Sequence, residues 1–316
     1  MEKQATTQKS KTFVYLSFAT ALLTVGLIVF GAIVRVTDSG LGCGNDWPLC
    51  NGRILPPLDN LTAWIEWSHR LFAALIGVLG IAMLIRGWQF FHKSNPNVLK
   101  MTVVAAALFT FQSLLGAFVV IYDLPPTMVT VHLGTAMLLL GALLVAAIMA
   151  WHQPPAKPTQ RDSVTALAYL TASISLVIIM TGALVRGSGA TLACTDWPLC
   201  NGQILPFEQG TLATVHMMHR FSVIGLGVVQ VMLVYYVFKT RTNPLLKQLA
   251  MWALIVYLLQ AGVGMFFVNS GATAFWGATH VGMASVTWAL LVSVCAIDTL
   301  NSLPSSKPLV GQKELS

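Results

Sequence analysis

Charge is what this sequence has least of. Lysine, arginine, aspartate and glutamate together make up 9% of its 316 residues, against roughly 25% in soluble globular chains. So small a share, beside 56% hydrophobic residues, excludes a water-soluble domain, and the same excess of apolar side chains excludes disorder. Acidic residues are the scarcer sign, 11 against 18 lysines and arginines. The basic surplus is not gathered into the patch that nucleic-acid binding needs, which argues against that partner. Cysteine numbers five, and no pair has the C-x-x-C spacing of thiol oxidoreductases.

What the sequence does have is apolar runs of about 20 residues. There are eight: Phe13 to Val34, Leu61 to Ile85, Met101 to Tyr122, Thr127 to Trp151, Ser163 to Val185, Thr211 to Phe238, Gln248 to Ser270 and Phe275 to Ile297. Each can cross about 30 Å of hydrocarbon at about 1.5 Å per residue, and backbone groups in lipid need internal partners, so each is expected to be a helix. The predicted fold is an all-α integral membrane protein with eight transmembrane helices. The first run is too long for a signal-peptide core, and no small-residue cleavage pattern follows it.

Basic residues set the orientation. The N-terminus, alternate loops and the C-terminus hold Lys3, Lys9, Lys11, Arg86, Lys93, Lys100, Lys157, Arg161, Lys239, Arg241, Lys247, Lys307 and Lys313, 13 of the 18. Both termini are therefore expected in the cytoplasm, with the long loops between runs one and two and between runs five and six outside. No transit peptide is visible, so a bacterial cell membrane is the expected location.

The chain also repeats itself. Residues 31–56, GAIVRVTDSGLGCGNDWPLCNGRILP, align with 182–206, GALVRGSGATLACTDWPLCNGQILP, with one single-residue gap and 16 of 25 positions identical. The register continues through His69-Arg70 on His219-Arg220, Gln112 on Gln260, Gly116 on Gly264 and His132 on His280. This predicts two tandem four-helix bundles, residues 1–152 and 163–298, followed by a polar cytoplasmic tail at 299–316. Four being even, the copies enter the membrane in the same sense, as a parallel repeat.

Five of the seven histidines fall inside predicted helices near their outer ends: His69, His132, His216, His219 and His280. Ionisable residues at that depth are costly and usually have a function. His92 and His152 read as ordinary polar loop residues. In each half one histidine lies on the second helix (69, 219) and one on the fourth (132, 280). Two imidazoles facing each other across a bundle at one depth suit a haem iron held from both sides. Gly116, Gly134, Gly264, Gly277 and Gly282 could admit a flat macrocycle or simply serve close helix packing. A di-iron centre would need several carboxylates where the runs hold only Glu66, and zinc would need four ligands together.

Cys43 with Cys50, and Cys194 with Cys200, lie in the matching outer loops, where paired cysteines default to disulfides. Each bridge would fix a lid above a histidine pair, and a redox role stays open alongside that structural one. Cys295 reads as a small apolar residue. The halves differ most at Glu66-x-x-His69 against His216-x-x-His219. The carboxylate is expected beside whatever His69 holds, its alternative use being a charge pair with Arg70. A site with a carboxylate suits chemistry, and one without it suits electron transfer or support.

Together these residues resemble the haem A synthase family, in its bacterial form with paired loop cysteines, from roughly Phe13 to Ile297. The resemblance implies an oxidoreductase that converts a methyl group of haem O to a formyl group, through two hydroxylations and loss of water from the gem-diol, giving haem A for cytochrome oxidase. It implies haem O as substrate between His69 and His132, a resident haem B between His219 and His280, and Glu66 as the catalytic residue. The preferred mechanism withdraws electrons from haem O while water attacks the methyl carbon and Glu66 accepts the proton. Arg70 and Arg220, beside the ligands, are the candidate contacts for haem propionates. Expected partners are the lipid bilayer and a membrane haem O synthase, and a homo-oligomer is compatible with the sequence. The rival from another class is a di-haem b-type cytochrome exchanging electrons with a quinone, which explains the four histidines and leaves Glu66 without a purpose.

Overall fold

A computed structural model describes residues 2–155 and 157–303, with side chains from Lys11 onward. The helices are α1 Glu2–Val36, α2 Leu61–Phe91, α3 Pro96–Ile121, α4 Pro126–Trp151, α5 Ser163–Gly187, α6 Thr211–Thr240, α7 Pro244–Asn269 and α8 Ala274–Asn301. All eight are long and apolar enough to cross a membrane. Among the described residues β pairing is confined to two isolated bridges, Cys50 with Arg53 and Cys200 with Gln203. The side chains of Lys3 and Lys9, and all of Lys307, Lys313 and the tail from 304 on, lie outside the described residues.

The helices begin and end where local chemistry allows. Pro96, Pro126 and Pro244 open α3, α4 and α7, positions where a missing N–H costs nothing. Asn60, Asp162 and Asn243 cap α2, α5 and α7 by accepting from backbone N–H groups one turn on. Several helices outrun the apolar runs: α2 continues past Ile85 to Phe91, α3 starts at Pro96, and α8 takes in residues 299–301 of the expected tail. Hydropathy marks the hydrocarbon-spanning part, whereas the helix persists through the interface, where Trp88, Phe90 and Arg86 are at home.

In the first half α1 packs on α2 and α4, and α3 packs on both α2 and α4; in the second, α5 packs on α6 and α8, and α7 on both α6 and α8. The halves meet through α1 against α8, α4 against α5, and α4 against α8. That puts α4 and α8 at the centre, the most buried helices of the eight, with α2, α3, α6 and α7 outermost. Trp288 of α8 donates from Nε1 to the carbonyl of Met137 in α4 at 2.7 Å. One continuous apolar cluster takes residues from both halves, Phe13, Met83 and Leu140 alongside Leu233, Leu246 and Leu291. The halves therefore share a core rather than owning one each. The linker between them is tied down as well: His152 Nε2 meets Asn301 Oδ1 at 2.8 Å, and the Thr159 N–H donates to the Asn301 carbonyl. His152 is thus a joint between halves and not a free loop residue.

Candidate functional site

The helix ends fix the depth of each histidine. His69 and His219 are each eight residues beyond the first residue of α2 and α6, and His132 and His280 six beyond those of α4 and α8. At about 1.5 Å per residue all four lie roughly 9–12 Å inside their helices. His69 and His132 are near enough to sense each other's charge, and so are His219 and His280. His219 is near His216 as well as His280, and among the described residues no three histidine, cysteine or carboxylate side chains gather as a metal cluster.

Each ring rests on a glycine of the next helix. A Cβ on Gly31 of α1 would lie 3.2 Å from His69 Cε1, and one on Gly116 of α3 would lie 3.0 Å from His132 Cε1. The second half repeats this, with 3.1 Å from Gly182 of α5 to His219 and 2.9 Å from Gly264 of α7 to His280. Any side chain at these positions would push on the imidazole, so glycine is what lets each ring approach its neighbour helix this closely. Of the five glycines considered from sequence, Gly116 and Gly264 do this, whereas Gly134, Gly277 and Gly282 face Met180, Phe267 with Val36, and Val29. Gly31 and Gly182 were missed, although both open the aligned repeat.

The far side of every ring is open. Nε2 of these four histidines has no hydrogen bond among the described residues and is not among the buried unpartnered atoms, so it faces accessible space, as an axial ligand must. The Nδ1 atoms differ between the halves. His280 Nδ1 lies 3.1 Å from the Gln260 carbonyl, to which it can only donate. His219 Nδ1 lies 2.9 Å from Thr181 Oγ1, and that hydroxyl gives its proton to the Ile178 carbonyl, so it too accepts from the ring. Both partners hold the proton on Nδ1 and leave the lone pair on Nε2, the tautomer that ligates iron. In the first half Nδ1 of His69 and of His132 are buried without a partner. The residue matching Thr181 there is Phe30, whose ring meets His69 edge-on at 5.7 Å.

Above the histidines sit the two loops, built alike. Cys43–Cys50 and Cys194–Cys200 form disulfides with Cα separations of 4.3 and 4.5 Å, all four cysteines being fully buried. Asp46 and Asp196 each accept from a glycine N–H, Gly52 and Gly202, at 2.8 Å. Arg70 donates to the carbonyls of Asp46 and Leu49, and Arg220 to those of Asp196 and Leu199. In this structure the guanidinium groups of Arg70 and Arg220 hold the loops. Burial of the sulfurs favours the structural role of the disulfides over the redox one. Cys295 is a buried free thiol.

Glu66 is buried, 3% exposed. One oxygen accepts from the Cys43 N–H at 2.8 Å and the other pairs with Arg70, so the charge pair weighed from sequence is present. In the second half His216 takes this place, also buried, its Nδ1 unpartnered.

The model of the COX15-CtaA family of cytochrome oxidase assembly proteins matches residues 14–292. The chain belongs to this family. Relatives named heme A synthase include one from an Exiguobacterium species, 30% identical over 280 residues that make up 87% of this chain and 91% of the relative. Another, from Shouchella clausii, is 32% identical over 282 residues, 87% of this chain and 93% of the relative. A third, from Symbiobacterium thermophilum, is 31% identical over 295 residues, 88% of this chain and 93% of the relative. The match takes in α2 to α7 and most of α1 and α8, with all four glycine-backed histidines and both disulfide loops.

Proposed function

We propose that the chain is a haem A synthase, a multi-pass membrane oxidoreductase that oxidises a methyl group of haem O to the formyl group of haem A. The observation that carries this is the pairing of two glycine-backed histidine sets, each with Nε2 open, of which only one has a buried carboxylate beside it. The residues fit haem: each imidazole is backed by a glycine of a neighbouring helix and keeps Nε2 on accessible space, so His69 with His132, and His219 with His280, would hold the iron. His219 and His280, with Nδ1 anchored, would hold a resident haem B. His69 and His132, with Nδ1 free, would take haem O as substrate and release the product. When bound, the haem supplies the redox chemistry of the site.

The chain's own residues supply position and proton transfer. Glu66 lies one turn outward of His69 on the same face of α2, oriented by the Cys43 N–H and Arg70, where it would accept a proton from water, the two electrons of each hydroxylation leaving to an external acceptor. The disulfide loop fixes that amide, so it holds Glu66 in place while covering the site from above. In this reading both loops lie on the extracytoplasmic side and both termini in the cytoplasm, the substrate arriving within the bilayer from a membrane haem O synthase. Replacement Glu66→Gln is expected to leave haem content unchanged and to cut formyl formation by about 10²–10⁴-fold, the usual contribution of a general base. Full activity in that variant would overturn the assignment.

A further inference from the structure

Two arginines remain unused by the loops. Arg35 and Arg186 occupy matching places in the last turns of α1 and α5. Each lies four residues, one helical turn, outward of the glycine that backs a histidine, Gly31 under His69 and Gly182 under His219. In both, Nε is buried with no hydrogen-bond partner. Arg186 reaches Asp38 at 3.5 Å, a long contact to an aspartate that is 79% exposed. Asp38 follows the end of α1, three residues beyond Arg35, so its contact with Arg186 brings the outer ends of α1 and α5 together where the halves meet. A guanidinium is always charged, and a buried donor without an acceptor is costly. Two such donors, at matching places outward of the two histidine pairs, make incomplete sites that carboxylates would complete.

We propose that Arg35 and Arg186 form matching anion sites that bind the propionates of the two haems, Arg35 serving the one on His69 and Arg186 the one on His219. The inference rests on the haem reading of the histidine pairs. It assigns to these two residues the role that sequence position suggested for Arg70 and Arg220, whose Nη1 groups hold loop carbonyls and whose Nη2 groups hold Glu66 and the Cys194 carbonyl. The chemistry recognised is a carboxylate held by charge-assisted hydrogen bonds; an anionic lipid phosphate at the same depth is the competing source.

The test is reconstitution of the full-length apoprotein in nanodiscs with haem, and separately with haem whose propionates are esterified. The unaltered protein is expected to bind haem roughly 10–100-fold more tightly than the diester, the size of one or two lost charged hydrogen bonds. That preference should shrink in Arg35→Gln and Arg186→Gln, return in part in the lysine variants, and persist in Arg220→Gln. Arg186→Gln should also lower the midpoint potential of the bound haem, because uncompensated propionate charge favours ferric iron. Equal affinity for haem and diester in the unaltered protein would overturn the proposal without any variant. So would a preference that survives in both glutamine variants, or one that vanishes in Arg220→Gln. A preference that disappears when phosphatidylglycerol replaces phosphatidylcholine would assign the arginines to lipid phosphate instead. Binding of neither haem nor diester would overturn the haem reading itself, a different failure from the others.

Discussion

The two halves of this protein use nearly the same scaffold, and the places where they part company are where the proposed division of labour would lie. The disulfide loops share their main bonds, from the aspartate that accepts a glycine N–H to the arginine that holds two loop carbonyls. The glycine beneath each histidine is repeated four times. Against that background three differences stand out. Glu66 faces His216 across the repeat, Phe30 faces Thr181, and Phe91 faces Arg241. The first puts a carboxylate in one site only. The second anchors His219 where His69 is free. The third changes how the inner end is closed: Phe91 packs edge-on against Phe13 at 4.9 Å, whereas Arg241 is buried and bonds Asp162 and Asp298 at 2.7 Å each. In the proposed reading, polar anchors suit the half that would keep its haem, and their absence suits the half that would release one.

The sharpest way to break the comparison is to remove ligands one half at a time. His219→Ala or His280→Ala is expected to abolish the haem B carried by the purified protein. His69→Ala or His132→Ala should leave haem B in place and eliminate haem O and haem A from the extract. Equal losses from both halves would show that the sites are not divided in labour.

Next in size is the inner closure. Arg241→Leu leaves Asp298, 3% exposed, as a buried charge without its partner, and should cost about 3–5 kcal/mol in denaturant unfolding. Copying the first half by Arg241→Phe with Asp298→Ala should recover most of that loss, since replacing a buried pair by apolar groups is often neutral.

A smaller change tests the anchor. Thr181→Val removes the acceptor of the His219 proton and should weaken haem retention in the second half by about 10–100-fold, as outer-shell partners commonly do. Phe30→Thr offers His69 the same acceptor and should tighten the first site, measured as slower haem loss to a scavenging protein.

The smallest expected effect is on pH. Asp162 is held below its usual value of 3.8, chiefly by the hydrogen bond from Arg241, and Arg241 is raised chiefly by the same bond. A carboxylate depressed in the folded state adds stability above its unfolded value and loses it as pH falls through the folded one. Acidification below about pH 4 should therefore loosen the junction of α5, α6 and α8 before that of α1 and α2, seen by hydrogen exchange. Asp162 is 40% exposed on its side chain, so solvent screens much of the effect.

Much of this was legible from residue order. Apolar length located all eight helices, and repetition separated the ligand histidines from His92 and His152. The repeat alignment even contained Gly31, Gly182, Arg35 and Arg186, yet their roles depend on which way a helix face turns, which depends on α1 and α5 packing against α2 and α6. Phe30 and Thr181 fall one residue before the alignment, so their contrast was invisible. The Arg241 network joins positions 57 and 79 residues apart, and charge counting placed that arginine in a cytoplasmic loop rather than in a buried cluster. His152 was likewise read as solvated because its partner, Asn301, comes from the far end of the chain.

The central claim, that one half keeps a haem while the other transforms one, is tested most directly by chromatography of haems extracted from protein produced with and without a source of haem O. The account predicts haem B in both samples, with haem O and haem A appearing only in the second. Haem B alone in both, at two per chain, would contradict it and identify a di-haem electron-transfer cytochrome.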